Sequence, residues 1–510
     1  MRKLFLLSIL GFILYLPQLQ AQILNHPVNT ALGGGGTAYT TGYTSLYVNP
    51  ANLMIKERDY RLQVSALTGG SYLSLPIANS DFQFYRSEYR SQLRPYRERR
   101  EVVALSPSTS GNGPGQDDVV NRNYNSGKQL SEHQVRGELH WFGVAWQGEN
   151  RSYSVGARSR FGNRFEVGRN FYDPAPSEEE GRIEFDQSHT QFYQILHEIS
   201  FGYAERFEFL SGQLPNLSQF YIGFAPKFIL SGSYLEADYK NLYRRDADDS
   251  RYERHQAYHQ HSSGVYSDFN NRFIAGQTIQ PSDIVRTELM RPTGFGAGLD
   301  VGLTYVITLG SDLSTLPVFD EQARNTLRLS FSITDIGFVS YRKNPEEFTL
   351  DEERGLEDDL PATAGRMFLG RPGEQLYFLN QQSPHPLLHS NRTSGEPFTI
   401  LLPTSINGGA LLQISRFKLM GDITLGITDS AFHATRFATY LGTEIRPLTF
   451  LPIRAGTRIA LNLPDYYSLG AGIETRYMDL NAAIQLRSRS VGPTNELAGF
   501  ALGALTFYIP

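Results

Sequence analysis

From Tyr60 onward the chain alternates apolar and polar residues in short runs, and the stretches between runs go long, short, long, short. Alternation with period two marks a strand with one wet face and one apolar face. In Thr326-Leu327-Arg328-Leu329-Ser330-Phe331-Ser332-Ile333 every odd-numbered residue is apolar and every even-numbered one polar. Leu299, Val301, Leu303, Tyr305 and Ile307 likewise oppose Gly298, Asp300, Gly302 and Thr304, and Leu469, Ala471, Ile473 and Tyr477 oppose Gly472, Glu474 and Arg476. A slip of one residue moves every charge to the apolar face, so the register is strongly specified.

Fourteen such runs begin near Tyr60, Gln134, Arg151, Phe192, Gln219, Thr293, Arg324, Thr404, Lys418, Arg436, Pro452, Tyr466, Met478 and Leu497. Long connections fall at 77–133, 168–191, 237–292 and 344–403, with short ones between them at 148–150, 210–218 and 417–418. Tight turns on one side and large loops on the other are the rhythm of a transmembrane barrel. The pattern predicts an all-β fold: a transmembrane antiparallel β-barrel of about 14 strands, with both termini on the side of the short turns.

The start of the chain sets an address. Arg2 and Lys3 precede the apolar stretch Leu4–Leu16, and Leu19-Gln20-Ala21 ends on a small residue. This predicts a signal peptide over 1–21, with the mature protein placed in the cell outer membrane after cleavage. Cys 0 excludes disulfides, thiolate metal sites and cysteine nucleophiles. Tyr 29 and Phe 32 supply aromatic girdles. Removing Arg2 and Lys3 from 47 basic residues leaves 45 against 52 acidic ones, a formal −7 that speaks against nucleic-acid binding.

Candidate chemistry is sparse. No G-x-S-x-G elbow, H-E-x-x-H pair or Walker A motif is present, and the chain reads as no enzyme, without cofactor. His255, His259 and His261 in HQAYHQH have ligand-like spacing but no cysteine support, so no metal site is expected. The polar, Tyr-rich loops, including the basic run Arg90–Arg100, read as solvated faces, with binding of lipopolysaccharide, a cation or a partner protein as the alternative; outer-membrane lipid and lipopolysaccharide are the expected surroundings of the barrel.

The segment Ala31–Ile55, ALGGGGTAYTTGYTSLYVNPANLMI, resembles the N-terminal region of the FadL/PorV class of outer-membrane barrels. Phe331–Asn344, Leu402–Ile414 and Leu451–Ile484 are similar to a related Bacteroidota outer-membrane family of unknown function. The resemblance implies that residues 22–58 form a hatch in the lumen of a barrel spanning 59–510, with Gly33, Gly34, Gly35, Gly36, Asn49, Pro50 and Ala51 at the matching positions. Asn-Pro also favours a simple turn in any protein. The implied function is passive uptake of small hydrophobic molecules. The alternative is a PorV-like accessory barrel docking to a secretion or surface-display machine, with a secretion-system protein as partner. One departure matters: the inferred lumen face carries Asp300, Arg328, Glu444, Arg446, Arg454, Arg458, Glu474 and Arg476. Buried charges must be paired, so these predict a salt-bridged plug around the hatch in place of a greasy path.

Overall fold

The computed structural model describes residues 26–56, 60–74, 130–171, 176–179, 181–207, 218–274, 291–309, 325–360, 391–433, 437–459, 466–487 and 496–509. The signal peptide expected over 1–21 and the basic run Arg90–Arg100 lie outside the described residues.

Fourteen strands form the wall: β1 (Leu62–Ser74), β2 (Leu130–Gln147), β3 (Arg151–Gly168), β4 (His189–Arg206), β5 (Ser218–Asp246), β6 (Gly294–Leu309), β7 (Asn325–Tyr341), β8 (Ser405–Ile414), β9 (Phe417–Gly426), β10 (Phe437–Leu448), β11 (Leu451–Ile459), β12 (Tyr466–Glu474), β13 (Met478–Arg487) and β14 (Glu496–Ile509). Each pairs antiparallel with the next in chain order. β14 then returns to β1 through Leu62↔Ile509 and Tyr72↔Gly499, which closes the ring. Among the described residues the wall leaves no edge strand, as a sheet crossing lipid requires. All fourteen runs read from the sequence start within a few residues of these strands. The four long connections all lie opposite the side on which the wall begins and ends.

The alternation sorts the two faces. Leu329 and Phe331 are 43% and 45% exposed, whereas Arg328 and Ser332 between them are 1% and 0% exposed. Leu441, Ile445, Leu469 and Ile473 join the same apolar belt, and Tyr440, Glu444 and Glu474 point inward. A contiguous apolar girdle on a closed barrel is a lipid-facing surface. Among the described residues no helix is long and apolar enough to cross a membrane; the crossing is made by strands.

The alternation slips at a few points, and the structure carries an extra residue there. Trp141 bulges out of β2 between His140 and Phe142. The inward set therefore changes from even-numbered Arg136, Glu138 and His140 to odd-numbered Ala145 and Gln147. Leu67 (φ 53°) stands opposite it in β1, and the β13–β14 ladder jumps from Asp479↔Thr506 to Asn481↔Gly503. These irregularities form one row across β13, β14, β1 and β2.

The stretches 237–292 and 344–403, expected as solvated loops, contain further sheet. β5 runs for 29 residues, and beyond Ser231 it leaves β6 to pair with strand Tyr252–Ser263. Strand Glu346–Glu357 pairs on the far side of Tyr252–Ser263, and Arg182–Asp186 pairs with the upper end of β5. This crown forms because its tyrosines and phenylalanines have a face to bury: Phe185, Tyr243 and Tyr252 pack together inside it.

Candidate functional site

Residues 27–55 are short turns of helix, α1 (Pro27–Ala31) followed by 3-10 turns Gly42–Tyr47 and Pro50–Met54. This segment is nearly all buried although it belongs to no strand. Tyr43, Leu46, Leu53 and Met54 pack with Ala145, Ala204, Tyr221 and Val306 of four different wall strands. Leu32, Ala38 and Tyr39 pack with Leu411, Met420 and Tyr440 on the opposite arc. A chain that packs on opposite arcs of a closed ring lies inside it.

Wall glycines make room for its backbone. A Cβ on Gly223 would come 2.3 Å from Ala51 N, and one on Gly456 would come 2.2 Å from the Leu32 carbonyl carbon. Asn49 caps the second 3-10 turn by accepting from Ala51 N–H (3.2 Å) and donates to Leu303 O (3.2 Å) and Thr304 Oγ1 (3.0 Å) of β6. Pro50 starts that turn, where its missing N–H costs nothing. Gly33 and Gly34 adopt φ of 85° and 106°, and the turn they allow presents Gly36 and Thr37 N–H to one oxygen of Asp422, Thr37 at 2.9 Å.

Two ionic clusters flank the segment. One joins β9 to β12: Arg454 binds Glu444 (2.6 Å) and Glu474, and Arg446 binds Glu474 (2.6 Å) and Glu444 (2.9 Å). Tyr39 of the segment donates its hydroxyl to Glu444. The other cluster joins β2 to β7. Arg158 binds Glu138 (2.8 Å) and Glu198 (2.9 Å), Arg160 binds Asp335 (2.9 Å), and Lys227 binds Asp300 (2.7 Å). Here Arg158 lies over the ring of Tyr47, 4.1 Å from its centre. Arg458 is held by Tyr72 Oη (3.2 Å) and the ring of Tyr466 (4.1 Å), and Arg328 is buried on β7. Arg476 departs from the expectation. It sits exposed in the turn 475–477, stacked over Tyr477, because β12 ends at Glu474 and alternation no longer aims it inward.

Sequence reading found Asp300 but missed Glu138, Arg158, Arg160, Glu198, Lys227, Asp335 and Asp422. Glu138 and Lys227 stand between non-polar neighbours, so the period-two signal was present there, whereas Ser159 between Arg158 and Arg160, and His197 before Glu198, blur it.

The outer connection after β9 also turns inward. Ser430, Ala431, Phe432 and His433 are all buried. Arg164 donates to Ser430 O (2.9 Å), Gln134 donates to Phe432 O (3.0 Å), and Arg160 lies over the Phe432 ring (4.7 Å). Burial pushes His433 down to about 4; Arg136 and Arg164 act the same way, against the Pro403 carbonyl and Asp335. A released loop would titrate at the ordinary 6.5, so it binds a proton that the docked loop refuses. Docking is fully favoured above pH 6.5 and loses about 2–3 kcal/mol by pH 4.5. Amide exchange across 429–433 should therefore accelerate strongly between pH 6.5 and 4.5, after correction for intrinsic rates, and His433→Gln should flatten that dependence.

Among the described residues two clefts adjoin the segment. The larger, open in part, lies at the row of wall irregularities. It is lined by Tyr39, Tyr43, Tyr60 and Tyr508 together with His26, Thr68, Asn481 and Gly503 and the charged Arg454, Glu474 and Asp479. The smaller lies between Gly34–Thr37 and the inward side chains of Thr334, Ser405, Asn407 and Thr424.

A closed fourteen-stranded wall, an apolar girdle outside and a folded segment within define the class: an integral transmembrane antiparallel β-barrel. The chain belongs to the Family of unknown function (DUF5723), whose pattern matches residues 72–484. No curated protein matches its sequence. Among solved structures it is similar to the TodX deltaS2S3 mutant monoaromatic hydrocarbon channel, at 10% identity and TM-score 0.42 over 95% of this chain and 98% of that one. It is also similar to the P. putida toluene transporter TodX (12%, 0.39, 96% and 98%) and to the CymD monoaromatic hydrocarbon channel (13%, 0.38, 95% and 96%).

Proposed function

We propose that this barrel is a passive uptake channel of the outer membrane for small hydrophobic molecules, with residues 26–55 acting as a hatch that closes it at rest. The observation that supports the reading is a folded segment seated inside the ring, with clefts beside it. Filling a barrel with its own backbone closes it to free diffusion. Four tyrosine rings in the larger cleft offer apolar faces with polar edges, which suits a small ring-bearing solute. The cleft meets the wall where β13, β14, β1 and β2 are all irregular.

The test is uptake of a labelled monoaromatic compound by outer-membrane-bearing cells that lack other routes for it. Expression of this chain should raise the initial rate several-fold over an empty vector, with little effect on a sugar of similar size. Equal rates with and without the chain would overturn the reading. Recovery of a stoichiometric partner protein together with equal rates would favour the accessory-barrel alternative instead.

A further inference from the structure

We propose that His259, His261 and Glu347 form a binding site for a divalent transition-metal ion of the zinc class in the crown, reached through the exposed His259. Residues directly opposed across an antiparallel pair share a face. Register places Glu347 opposite His261 and Thr349 opposite His259, while His259 and His261 are two residues apart and so point the same way. Glu347 Oε1 lies 3.2 Å from His259 Nε2 and 3.3 Å from His261 Nε2, and the three ligand atoms all fall within 4.8 Å of one another. Zinc bound at ~2.0–2.2 Å to nitrogen and oxygen holds its ligand atoms roughly 3.0–3.5 Å apart. The two nitrogen–oxygen separations already match that spacing.

The surroundings favour a dication. On the other flank β5 sets Glu236 opposite His261 and Asp238 opposite His259. Three carboxylates therefore surround two imidazoles. The rings are also held in place: His261 stacks on Phe398 with centroids 5.1 Å apart, and His259 meets His261 edge-on at 4.4 Å. Two imidazoles with one carboxylate select zinc, copper, nickel or cobalt over calcium and magnesium, which prefer all-oxygen shells. Three protein ligands leave an open position for water or for a donor from another molecule. His255 takes no part. It precedes a register shift, is buried, and binds Glu352 (3.0 Å). The histidines alone gave no reason to expect a site; the third ligand stands 88 residues from His259 in the chain.

The test uses the full, tag-free barrel in detergent after chelation, titrated calorimetrically with zinc chloride and, separately, with cobalt for its coordination spectrum. One zinc per chain is expected, with magnesium giving no heat. His259→Ala and Glu347→Gln should each weaken zinc binding by more than about 100-fold, beyond what supporting residues contribute, and His255→Ala should leave it unchanged. All variants should keep the barrel's heat-dependent gel migration, since the site lies in the crown. Zinc affinity retained in the His259→Ala/His261→Ala double variant, or no saturable binding by the parent protein up to millimolar zinc, would overturn the assignment.

Discussion

Replacing Asp422 with alanine is expected to turn a closed barrel into a conducting one. One carboxylate oxygen of Asp422 receives the N–H groups of Gly36 and Thr37, and it ties the glycine turn of the inner segment to β9. Each buried N–H left without its acceptor costs about 1–3 kcal/mol. Losing both shifts the seated-to-released balance by at least about 2 kcal/mol, roughly thirtyfold. In planar bilayers the parent protein should sit near the baseline, and Asp422→Ala should show frequent large openings. Arg416→Ala, a change in the exposed turn between β8 and β9, serves as the control. Steady porin-like current from the parent protein would contradict the closed lumen, and silent Asp422→Ala channels would contradict the tie.

The second large effect concerns stability. Arg158 is completely buried and bridges Glu138 and Glu198, with Asp335 4.0 Å away. Arg158→Met keeps much of the volume but leaves two carboxylates short of a partner in a site without solvent. Breaking a buried ion pair from one side costs about 3–5 kcal/mol. The exposed pair Arg151–Glu205, at 3.5 Å, offers the contrast: Arg151→Met should change stability by no more than about 1 kcal/mol. Urea unfolding followed by gel migration distinguishes the two. Equal midpoints for both variants would show that the cluster contributes little to holding the wall.

The wall was legible in the sequence because lipid imposes a simple rule on it. Every second residue of a run such as Thr326–Ile333 must be apolar, and a register slip there is forbidden. The lumen face was legible where alternation ran unbroken: Glu444, Arg454, Arg458 and Glu474 are buried on the side opposite the apolar belt. It was obscured where a bulge intervened. Trp141 and Phe142 stand side by side on the outside of β2, which hides the switch of the inward set from Glu138 and His140 to Ala145 and Gln147. Asp335 (φ 58°) does the same on β7, and it is the residue that joins Arg160 and Lys227. The tie at Asp422 joins residues about 385 positions apart, and nothing local in either stretch announces it. The crown was read as loop because its strands alternate among Tyr, Arg, His and Glu, where neither face is purely apolar.

The register shift within β5 has a consequence for how relatives of this chain can diverge. In the wall odd-numbered Tyr221, Ala225 and Lys227 face inward, but β5 carries one extra residue against β4 between Ser231 and Tyr234, and above it even-numbered Tyr234 and Glu236 share the face of Gln194 and Phe192. That one residue decides which face the crown turns to the barrel axis. Insertions or deletions of two residues above it leave the choice intact and change only the height of the crown. Loss of the extra residue exchanges the two faces of the crown. Descent should therefore lengthen or shorten this strand in even steps and keep the irregularity between Ser231 and Tyr234.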